Sequence, residues 1–339
     1  MNTVMTGEQE ATTRRPHCSI VIRANNEERH IGRLLAGIQQ QTIQQTEIIL
    51  VDSGSTDATL VIAQQYPLRV VHIPPAEFTF GRSLNLGIAA AQGEFIIIVS
   101  AHVYPVYPDW LEHLLAPFLD PQVALVYGRQ RGDAITRFSE SQVFARWYPE
   151  RGNPAQKHPF CNNANAAIRR DLWEGHPYDE TLSGLEDLAW ARWAVGKGYH
   201  LAYIAEAEVV HVHEEQPRQV FNRYRREAMA FKHIYPQERF GLRDFLRLLS
   251  SNIASDIWHA SRQGVLGANW RGILWFRWMQ FWGTYQGFRQ SGPLTWQLRQ
   301  TFYYPHGIDP IPLPPSRGIQ PIQYNDLAED PTMQSGLDR

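Results

Sequence analysis

Residues 48–57 read Ile-Ile-Leu-Val-Asp-Ser-Gly-Ser-Thr-Asp, and this stretch decides the fold. The apolar run 48–51 is typical of a short buried strand, and it ends on the carboxylate of Asp52. A Gly/Ser turn follows, and the next Ser, Thr and Asp offer short oxygen side chains that can cap helix amides. In an open α/β sheet, ligands bind at the carboxyl ends of the strands. Asp52 is therefore predicted at a ligand-binding edge, where its carboxylate can accept a hydrogen bond from a base or a sugar.

Strands and helices alternate on both sides of this stretch. Helical spacing of apolar residues separates several of the strand-like runs, and the helix after residue 52 is expected to begin near Thr56 or Asp57. The run 95–99 is wholly apolar, which is typical of a central strand. This order predicts an α/β fold with a mostly parallel central sheet and helices on both faces. The predicted strands are 18–22, 48–51, 69–73, 95–99, 123–127, 199–204 and 208–212.

The composition divides the chain into four parts. Residues 1–16 are polar and are predicted to be disordered, and residues 17–215 hold the alternating elements. Residues 216–304 are rich in aromatic side chains and predict a helical C-terminal extension. The Pro-rich, polar tail 305–339 again predicts disorder.

Bulk composition excludes several functional classes. The net charge of −2 provides no cationic field for nucleic acid. Residues 1–15 carry Glu8 and Glu10 without an apolar stretch, which predicts no signal peptide, and no run approaches the roughly 18 apolar residues of a membrane span. Cys18 and Cys161 match no metal or redox spacing, so both are predicted to be buried thiols in a reducing compartment. These features predict a cytoplasmic protein.

Two common nucleotide-binding loops are missing from the sequence. A dinucleotide site needs Gly-x-Gly-x-x-Gly after the first strand, where residues 23–28 read Arg-Ala-Asn-Asn-Glu-Glu. A pyrophosphate could not approach that backbone closely, so a nicotinamide enzyme is disfavoured. The chain has no Gly-Lys-Ser/Thr loop of the P-loop type either.

The order of several short motifs resembles the family-2 glycosyltransferases, whose fold is called GT-A. The resemblance covers roughly residues 18–215. Each motif alone is a weak signal, and the occurrence of all of them in this order makes the resemblance specific. The motifs are IRANNEE at 22–28, VDSGSTD at 51–57, GRSLN at 81–85, GEFI at 93–96, NAAIRR at 165–170 and GLED at 184–187.

The resemblance implies a nucleotide-sugar site at the carboxyl ends of the strands. Ala24, Asn26 and Glu27 correspond to the segment that lines the nucleoside pocket, and Asp52 matches the carboxylate that recognises the base. Arg82 matches a basic residue that faces the diphosphate, which a guanidinium can bind through two hydrogen bonds. Two alternatives stay open: Asp52 as a turn carboxylate, and Arg82 as a solvated surface arginine.

The metal motif departs from the family pattern. Members usually place Asp-x-Asp at the end of the central strand, where this chain has Ser100-Ala101-His102. Some related retaining enzymes use Asp-x-His, so His102 resembles a ligand of a divalent metal, Mn²⁺ or Mg²⁺, and Ser100 can hydrogen-bond a ribose hydroxyl. His211 and His213 would point the same way on a strand and resemble a late histidine that completes the metal or diphosphate site. Metal dependence stays open, because imidazole suits Mn²⁺ less well than carboxylate does.

The resemblance places catalysis at Glu186 and Asp187. Asp187 matches the general base of inverting members, which takes the proton of the attacking acceptor hydroxyl. Glu186 is expected to position the acceptor or the loop, and the amides of Asn163 and Asn165 are expected to bind hydroxyls of the donor sugar. The alternatives are a helix N-terminal pair of acids and a tight Asx turn.

The C-terminal part carries basic and aromatic residues in helical patterns. A basic helix with aromatic residues between its arginines predicts either a second diphosphate clamp or a surface for anionic lipid or a lipid-linked acceptor. Its arginines are Arg218, Arg223, Arg225 and Arg226, and its aromatic residues are Phe221 and Tyr224. Trp275, Trp278 and Trp282 fall at helical spacing, which is typical of a buried stripe. Peripheral membrane contact is the alternative.

Together these features imply an inverting transferase that moves a sugar from a nucleotide-diphosphate sugar to a hydroxyl of a carbohydrate or lipid-linked acceptor. The expected process is cell-surface polysaccharide, exopolysaccharide or glycolipid synthesis, in the cytoplasm at the inner face of the membrane. One rival is a non-catalytic nucleotide-sugar or carbohydrate-binding protein, favoured by the altered motif at 100–102. The other is a nucleotidyltransferase, disfavoured because residues 23–28 lack a Gly-rich loop.

Overall fold

A computed structural model of the chain describes residues 16–289, 319, 320 and 322–324. Most of the two segments predicted to be disordered, 1–16 and 305–339, lies outside these residues. The strands of the described part are β1 (Cys18–Ala24), β2 (Thr46–Asp52), β3 (Arg69–His72), β4 (Phe95–Ser100), β5 (Val103–Pro105), β6 (Val123–Arg131), β7 (Asn153–Gln156), β8 (Asn165–Arg169) and β9 (His200–His211). The α-helices are α1 (Ile31–Gln39), α2 (Thr59–Ala63), α3 (Phe80–Ala90), α4 (Trp110–Leu115), α5 (Phe138–Trp147), α6 (Arg170–Gly175), α7 (Glu186–Gly196), α8 (Pro217–Ile234), α9 (Leu242–Arg262) and α10 (Leu266–Phe288).

The strands form one sheet in the order β3-β2-β1-β4-β8-β6-β9-β5, and β7 also pairs with β9. Strands β1 to β4, β6 and β9 run in one direction, whereas β5, β7 and β8 run against them. The predicted fold class is therefore confirmed. The antiparallel strand β8, inserted between β4 and β6, was not predicted as a strand, because its first residues follow an Asn-rich segment typical of a turn.

Helices cover both faces of the sheet, as predicted. On β1, Ile20 and Ile22 enter a core with α1 and α4, whereas Val21 enters a second core with α3 and α7. This alternation follows from the period of two residues along a strand. Central strands buried on both faces are largely apolar, and residues 95–99 of β4 follow this pattern.

Several predicted boundaries were wrong. Helix α2 begins at Thr59 and not near residue 56, because the Asp57 carboxylate accepts the Thr59 amide (3.0 Å) and Glu28 accepts the Ala58 amide (2.9 Å) in the preceding loop. The two strands predicted at 199–204 and 208–212 are one strand, β9, whose pairing with β6 shifts register after Gly128.

The C-terminal region is helical through residue 288, which confirms that part of the predicted extension. Helices α8, α9 and α10 share an apolar core that includes Phe231, Phe245 and Phe281. The described part of the tail contacts the sheet, since the Ile322 amide donates to the Val106 carbonyl (2.9 Å). No helix among the described residues combines the length and the apolar character that crossing a membrane requires.

Candidate active site

A cleft of about 470 Å³ opens at the carboxyl ends of β1 and β4. The start of α7, the end of β9 and one side of α8 form its other walls. A larger hollow of about 1360 Å³ lies at the opposite end of the sheet. Its arginines Arg169 and Arg170 already pair with Asp171 and Glu174. Since ligands bind at the carboxyl ends of such strands, the smaller cleft is the candidate active site.

Asp187 lies in this cleft, in the first turn of α7. Its carboxylate accepts hydrogen bonds from the Asn163 amide (3.1 Å) and from the Leu188 amide (2.8 Å). Burial, and then the negative charge of Glu186, raise the pKa of Asp187 to about 7. A carboxyl group that titrates near neutral pH can both accept and release a proton there, which suits a general base.

Glu186 is held by an arginine that the sequence did not single out. Arg23, at the end of β1, donates to the Glu186 carboxylate (3.1 Å). The Arg23 guanidinium also lies 4.9 Å from the centre of the Phe80 ring, and Arg226 lies 4.7 Å from the same ring. The cleft thus carries two guanidinium groups beside the paired acids of α7.

We expect the charge of Glu186 to set the pH dependence of the reaction. Asp187 must be ionised to act as a base, so kcat/KM should fall as pH drops through about 7. Glu186→Gln removes a negative charge that raises the pKa of Asp187. The fall of kcat/KM on the acid side of the pH profile, its acid limb, should therefore move to lower pH. The measurement is the pH profile of kcat/KM, with the donor that the ligand screen described below identifies.

Glu112→Gln is the matched control, because Glu112 is exposed on α4, away from the cleft. Its profile should overlay that of the unmodified protein. An acid limb at the same pH in Glu186→Gln would show that the neighbouring charge does not tune Asp187.

Three histidines meet on the other side of the cleft. The ring centres of His102 and His211 are 5.0 Å apart, and those of His211 and His213 are 4.1 Å apart. One ring nitrogen from each of the three lies within 4.8 Å of the others. The prediction that these residues come together is therefore confirmed. His102 lies in the β4–β5 connection, and His211 and His213 lie at the end of β9 and just after it.

Each histidine has an oxygen partner on its Nδ1 atom. His102 faces Glu27 (2.8 Å), His211 faces Gln130 (2.7 Å) and His213 faces Glu140 (2.7 Å). An oxygen beside Nδ1 favours the tautomer of a neutral imidazole that carries its proton on that atom and its lone pair on Nε2. Metal-binding histidines are commonly oriented in this way by an outer hydrogen bond.

The protonation of the two β9-end histidines also suits a ligand role. Burial lowers the pKa of both His211 and His213 well below the ordinary value, and the Arg223 charge acts in the same direction. Nε2 of His211 is buried and has no hydrogen-bond partner among the described residues. A neutral imidazole with an unpaired buried nitrogen fits a divalent cation.

A second group of possible ligands adjoins the first. Glu140, His213 and Glu215 also bring ligand atoms within 4.8 Å of one another. Arg223 donates to Glu140 (2.8 Å) and pairs with Glu215 (2.6 Å), so it already neutralises much of this acidic pair. The three-histidine group is therefore the better candidate for a metal.

Asp52 lies at the predicted edge, but its visible contacts are with its own turn. The buried carboxylate accepts the amides of Gly54 (3.1 Å) and Ser55 (3.2 Å), and His72 lies 3.6 Å away. Asp52 does not line the cleft described above. These contacts fit the alternative role of Asp52 as a carboxylate that stabilises its own turn. Recognition of a nucleobase by Asp52 stays a prediction.

The loop after β1 lies beside this turn. Asn26 adopts the left-handed backbone conformation (φ 57°), and its side-chain oxygen accepts the Thr56 amide (2.8 Å). The carbonyl of Ala24 accepts the Ser53 amide (3.1 Å). The two motifs at 22–28 and 51–57 therefore hold each other in place, and both Arg23 and Glu27 of the first motif reach the cleft.

Arg82 is placed differently from the expectation. Its guanidinium pairs with Glu77 (2.7 Å) and Glu180 (3.3 Å), and it does not line the cleft. Arg23 is an arginine that does. A role of Arg82 at the diphosphate stays a prediction, with two carboxylates competing for the side chain.

The asparagines have separate roles. Asn165 is fully buried. Its side-chain oxygen accepts the indole N–H of Trp110 (2.9 Å), and its side-chain nitrogen donates to the Ala207 carbonyl (2.8 Å). Binding of a sugar hydroxyl by Asn165 stays a prediction, with its side-chain amide already used by these two partners. Asn163 and Asn162 both line the cleft. Asn163 donates its backbone amide to Asp187, and the Asn162 side chain accepts the Ala164 amide (2.8 Å) in an Asx turn.

The sequence also missed Glu140 and Gln130, which orient the histidines. Both lie in the polar segment 129–160, where no motif marked them. A signal existed for Arg23, because a charged residue near the end of an otherwise apolar strand is unusual unless it meets a partner.

Comparison with known proteins finds similarity to one family of enzymes. Residues 19–175 match the model for glycosyl transferase family 2. The chain is 34% identical over 199 residues to O-antigen chain rhamnosyltransferase WbaN of Salmonella anatum. The matched residues make up 55% of this chain and 62% of that protein. Residues 19–175 are thus similar to the family-2 glycosyltransferases. A second relative, O-antigen chain rhamnosyltransferase RfbN of Salmonella typhimurium, is 32% identical over 205 residues, or 56% of this chain and 65% of that protein.

The chain spans less than two thirds of the length of these two relatives. Among solved structures, it resembles a mannosyltransferase from Pyrobaculum calidifontis in complex with GDP-Man and Mn²⁺. The TM-score is 0.55 at 19% identity, covering 81% of this chain and 85% of that one. At that identity the likeness shows the GT-A fold alone. Asp187 and the β9-end histidines lie outside the residues that the family model matches.

Proposed function

We propose that this chain transfers a sugar from a nucleoside-diphosphate sugar to a hydroxyl acceptor with inversion. The observation that carries the proposal is the buried carboxyl group of Asp187, whose pKa is raised to about 7 in the cleft. A base works best when its pKa lies near the operating pH. Asp187 would take the acceptor proton, while the Asn163 amide and the start of α7 hold its carboxylate in place.

The charges of the cleft favour a cation beside the donor. Acids outnumber arginines along its walls, so a bare diphosphate would be repelled. His102, His211 and His213 would hold a divalent metal, which when bound would offset the charge of the departing diphosphate. The acids of the walls are Glu27, Glu186, Asp187, Glu214, Glu215 and Glu227, and the arginines are Arg23, Arg223 and Arg226.

The two O-antigen relatives support a role in cell-surface polysaccharide synthesis. We place the acceptor among carbohydrates or lipid-linked sugars, and the enzyme in the cytoplasm at the inner face of the membrane. The rival function, a nucleotide-sugar-binding protein without activity, leaves the raised pKa of Asp187 unexplained. Such shifts cluster at catalytic sites.

A ligand screen tests the donor and the metal together. We expect the thermal midpoint of the full chain to rise with one of UDP, GDP or dTDP, and to rise further when Mn²⁺ is added. A ligand present at one hundred times its dissociation constant adds about 2.7 kcal/mol to the free energy of unfolding. His211→Ala should keep the nucleotide effect and weaken the metal effect, because it removes the unpaired Nε2 atom.

His233→Ala is the matched control, since His233 is exposed in the last turn of α8, and it should respond like the unmodified protein. A protein that responds to none of the three nucleotides, with or without metal, would contradict the proposed donor class. An equal metal effect in His211→Ala would exclude that histidine as a ligand.

A further inference from the structure

A line of large apolar side chains lies exposed on α10. Trp270, Leu274 and Trp278 are 45%, 41% and 46% exposed. They recur every four residues and so follow one side of the helix. Apolar residues of this size normally face the core of a helical region, so a continuous exposed line of them indicates a binding surface.

Helix α9 adds to the same surface. Leu242 and Leu246 are more than half exposed in its first two turns. The line on α10 meets them near Phe245, whose ring centre lies 5.6 Å from that of Trp278. Trp282 also packs against Phe245, but it is half-buried and belongs with the core of α8, α9 and α10. We call the surface formed by Leu242, Leu246, Trp270, Leu274 and Trp278 the α9–α10 face.

The exposed charges on the helices that form this face are mostly positive. Residues 239–289 contain two acids: Asp256 is buried, and Asp244 caps the start of α9. Arg262 and Arg271 lie against the rings of Trp258 (4.8 Å) and Trp270 (5.2 Å). Among the described residues, no carboxylate forms an ion pair with any exposed arginine of this segment. These exposed arginines are Arg239, Arg243, Arg247, Arg262, Arg271 and Arg289.

We propose that the α9–α10 face binds the surface of an anionic phospholipid bilayer. Tryptophan and leucine side chains enter the boundary between headgroups and acyl chains, and arginines attract the anionic headgroups. Contact with a second copy of the chain is opposed, because it would bring the two sets of arginines together. The proposal rests on the proposed function for its purpose, which is to hold the cleft close to a lipid-linked acceptor.

The test is co-sedimentation of the full chain with vesicles. One set contains phosphatidylglycerol mixed with phosphatidylcholine, and the other contains phosphatidylcholine alone. We expect binding to the anionic set that weakens with salt. The variant with Trp270→Ser, Leu274→Ser and Trp278→Ser should bind about tenfold or more weakly, because it loses the apolar anchors. The variant with Arg243→Gln, Arg247→Gln and Arg271→Gln should lose on the order of a hundredfold.

The matched control is Val61→Ser with Leu119→Ser, two exposed apolar residues of the sheet region, and it should bind as the unmodified chain does. Absence of binding to anionic vesicles, or unchanged binding by the two triple variants, would overturn the proposal. So would a dimer of the unmodified chain, seen by light scattering, that the serine variant loses. Nucleotide binding by the same preparations, measured by calorimetry, reports on the proposed function separately.

Discussion

Asp187→Asn should reduce turnover by about a hundredfold or more, because the amide cannot take the proton of the acceptor hydroxyl. The replacement keeps the size of the side chain and one of its oxygens, which can still accept the Asn163 or the Leu188 amide. The nucleotide-induced rise in thermal midpoint should therefore persist. The measurement is kcat at saturating donor, together with that thermal shift.

The matched control is Asp171→Asn. Asp171 is exposed at the start of α6 and pairs with Arg169, at the opposite end of the sheet from the cleft. Its turnover should equal that of the unmodified protein. Near-normal turnover in Asp187→Asn would remove Asp187 from the mechanism, whereas loss of nucleotide binding would show that the replacement disturbs the whole cleft.

Arg277→Met should cause the largest loss of stability, about 3–5 kcal/mol in the free energy of unfolding. Arg277 is 2% exposed and donates twice to Asp256 (2.7 and 2.9 Å), which is 1% exposed. Ser139 of α5 donates to the same carboxylate (2.6 Å). Removing the guanidinium leaves a buried charge without its counter-charge, at the point where α5, α9 and α10 meet. Urea unfolding followed by tryptophan fluorescence gives the value.

Arg271→Met is the control for this change, because Arg271 lies on the same helix but is exposed. Surface replacements of this kind usually change stability by no more than about 0.5 kcal/mol. The double variant Asp256→Leu with Arg277→Met should recover much of the loss, since it leaves no unpaired charge. A loss below about 1 kcal/mol in Arg277→Met alone would show that the pair is solvated.

The alternating fold was predictable because its signal is local. The run 95–99 is apolar at every position, and only a strand covered on both faces buries all of these side chains. The two cysteines were predicted to be buried, and both are. The histidines of residues 211 and 213 could be expected to lie together, because a strand returns to the same face every second residue.

The surroundings of other residues could not be predicted, because they depend on neighbours distant in sequence. Asn165 follows two asparagines and was expected to bind sugar, but Trp110 and the Ala207 carbonyl occupy its amide. Trp275, Trp278 and Trp282 were treated as one stripe. The packing of α10 against α8 and α9 exposes Trp278 and half-buries the other two.

The sequence by itself determined the fold class, most strands of the sheet, the resemblance to family-2 glycosyltransferases and several residue types at the cleft, because hydrophobic period and turn chemistry act over a few residues. Only the tertiary structure decided which charges meet. Arg23 reaches Glu186 across more than one hundred and sixty positions, and Glu140 reaches His213 across more than seventy. Such pairs depend on the order of strands in the sheet and on which charged side chains need a partner once the core is packed. No local pattern encodes that outcome, since the energy of a buried charge depends on the partners that the fold supplies.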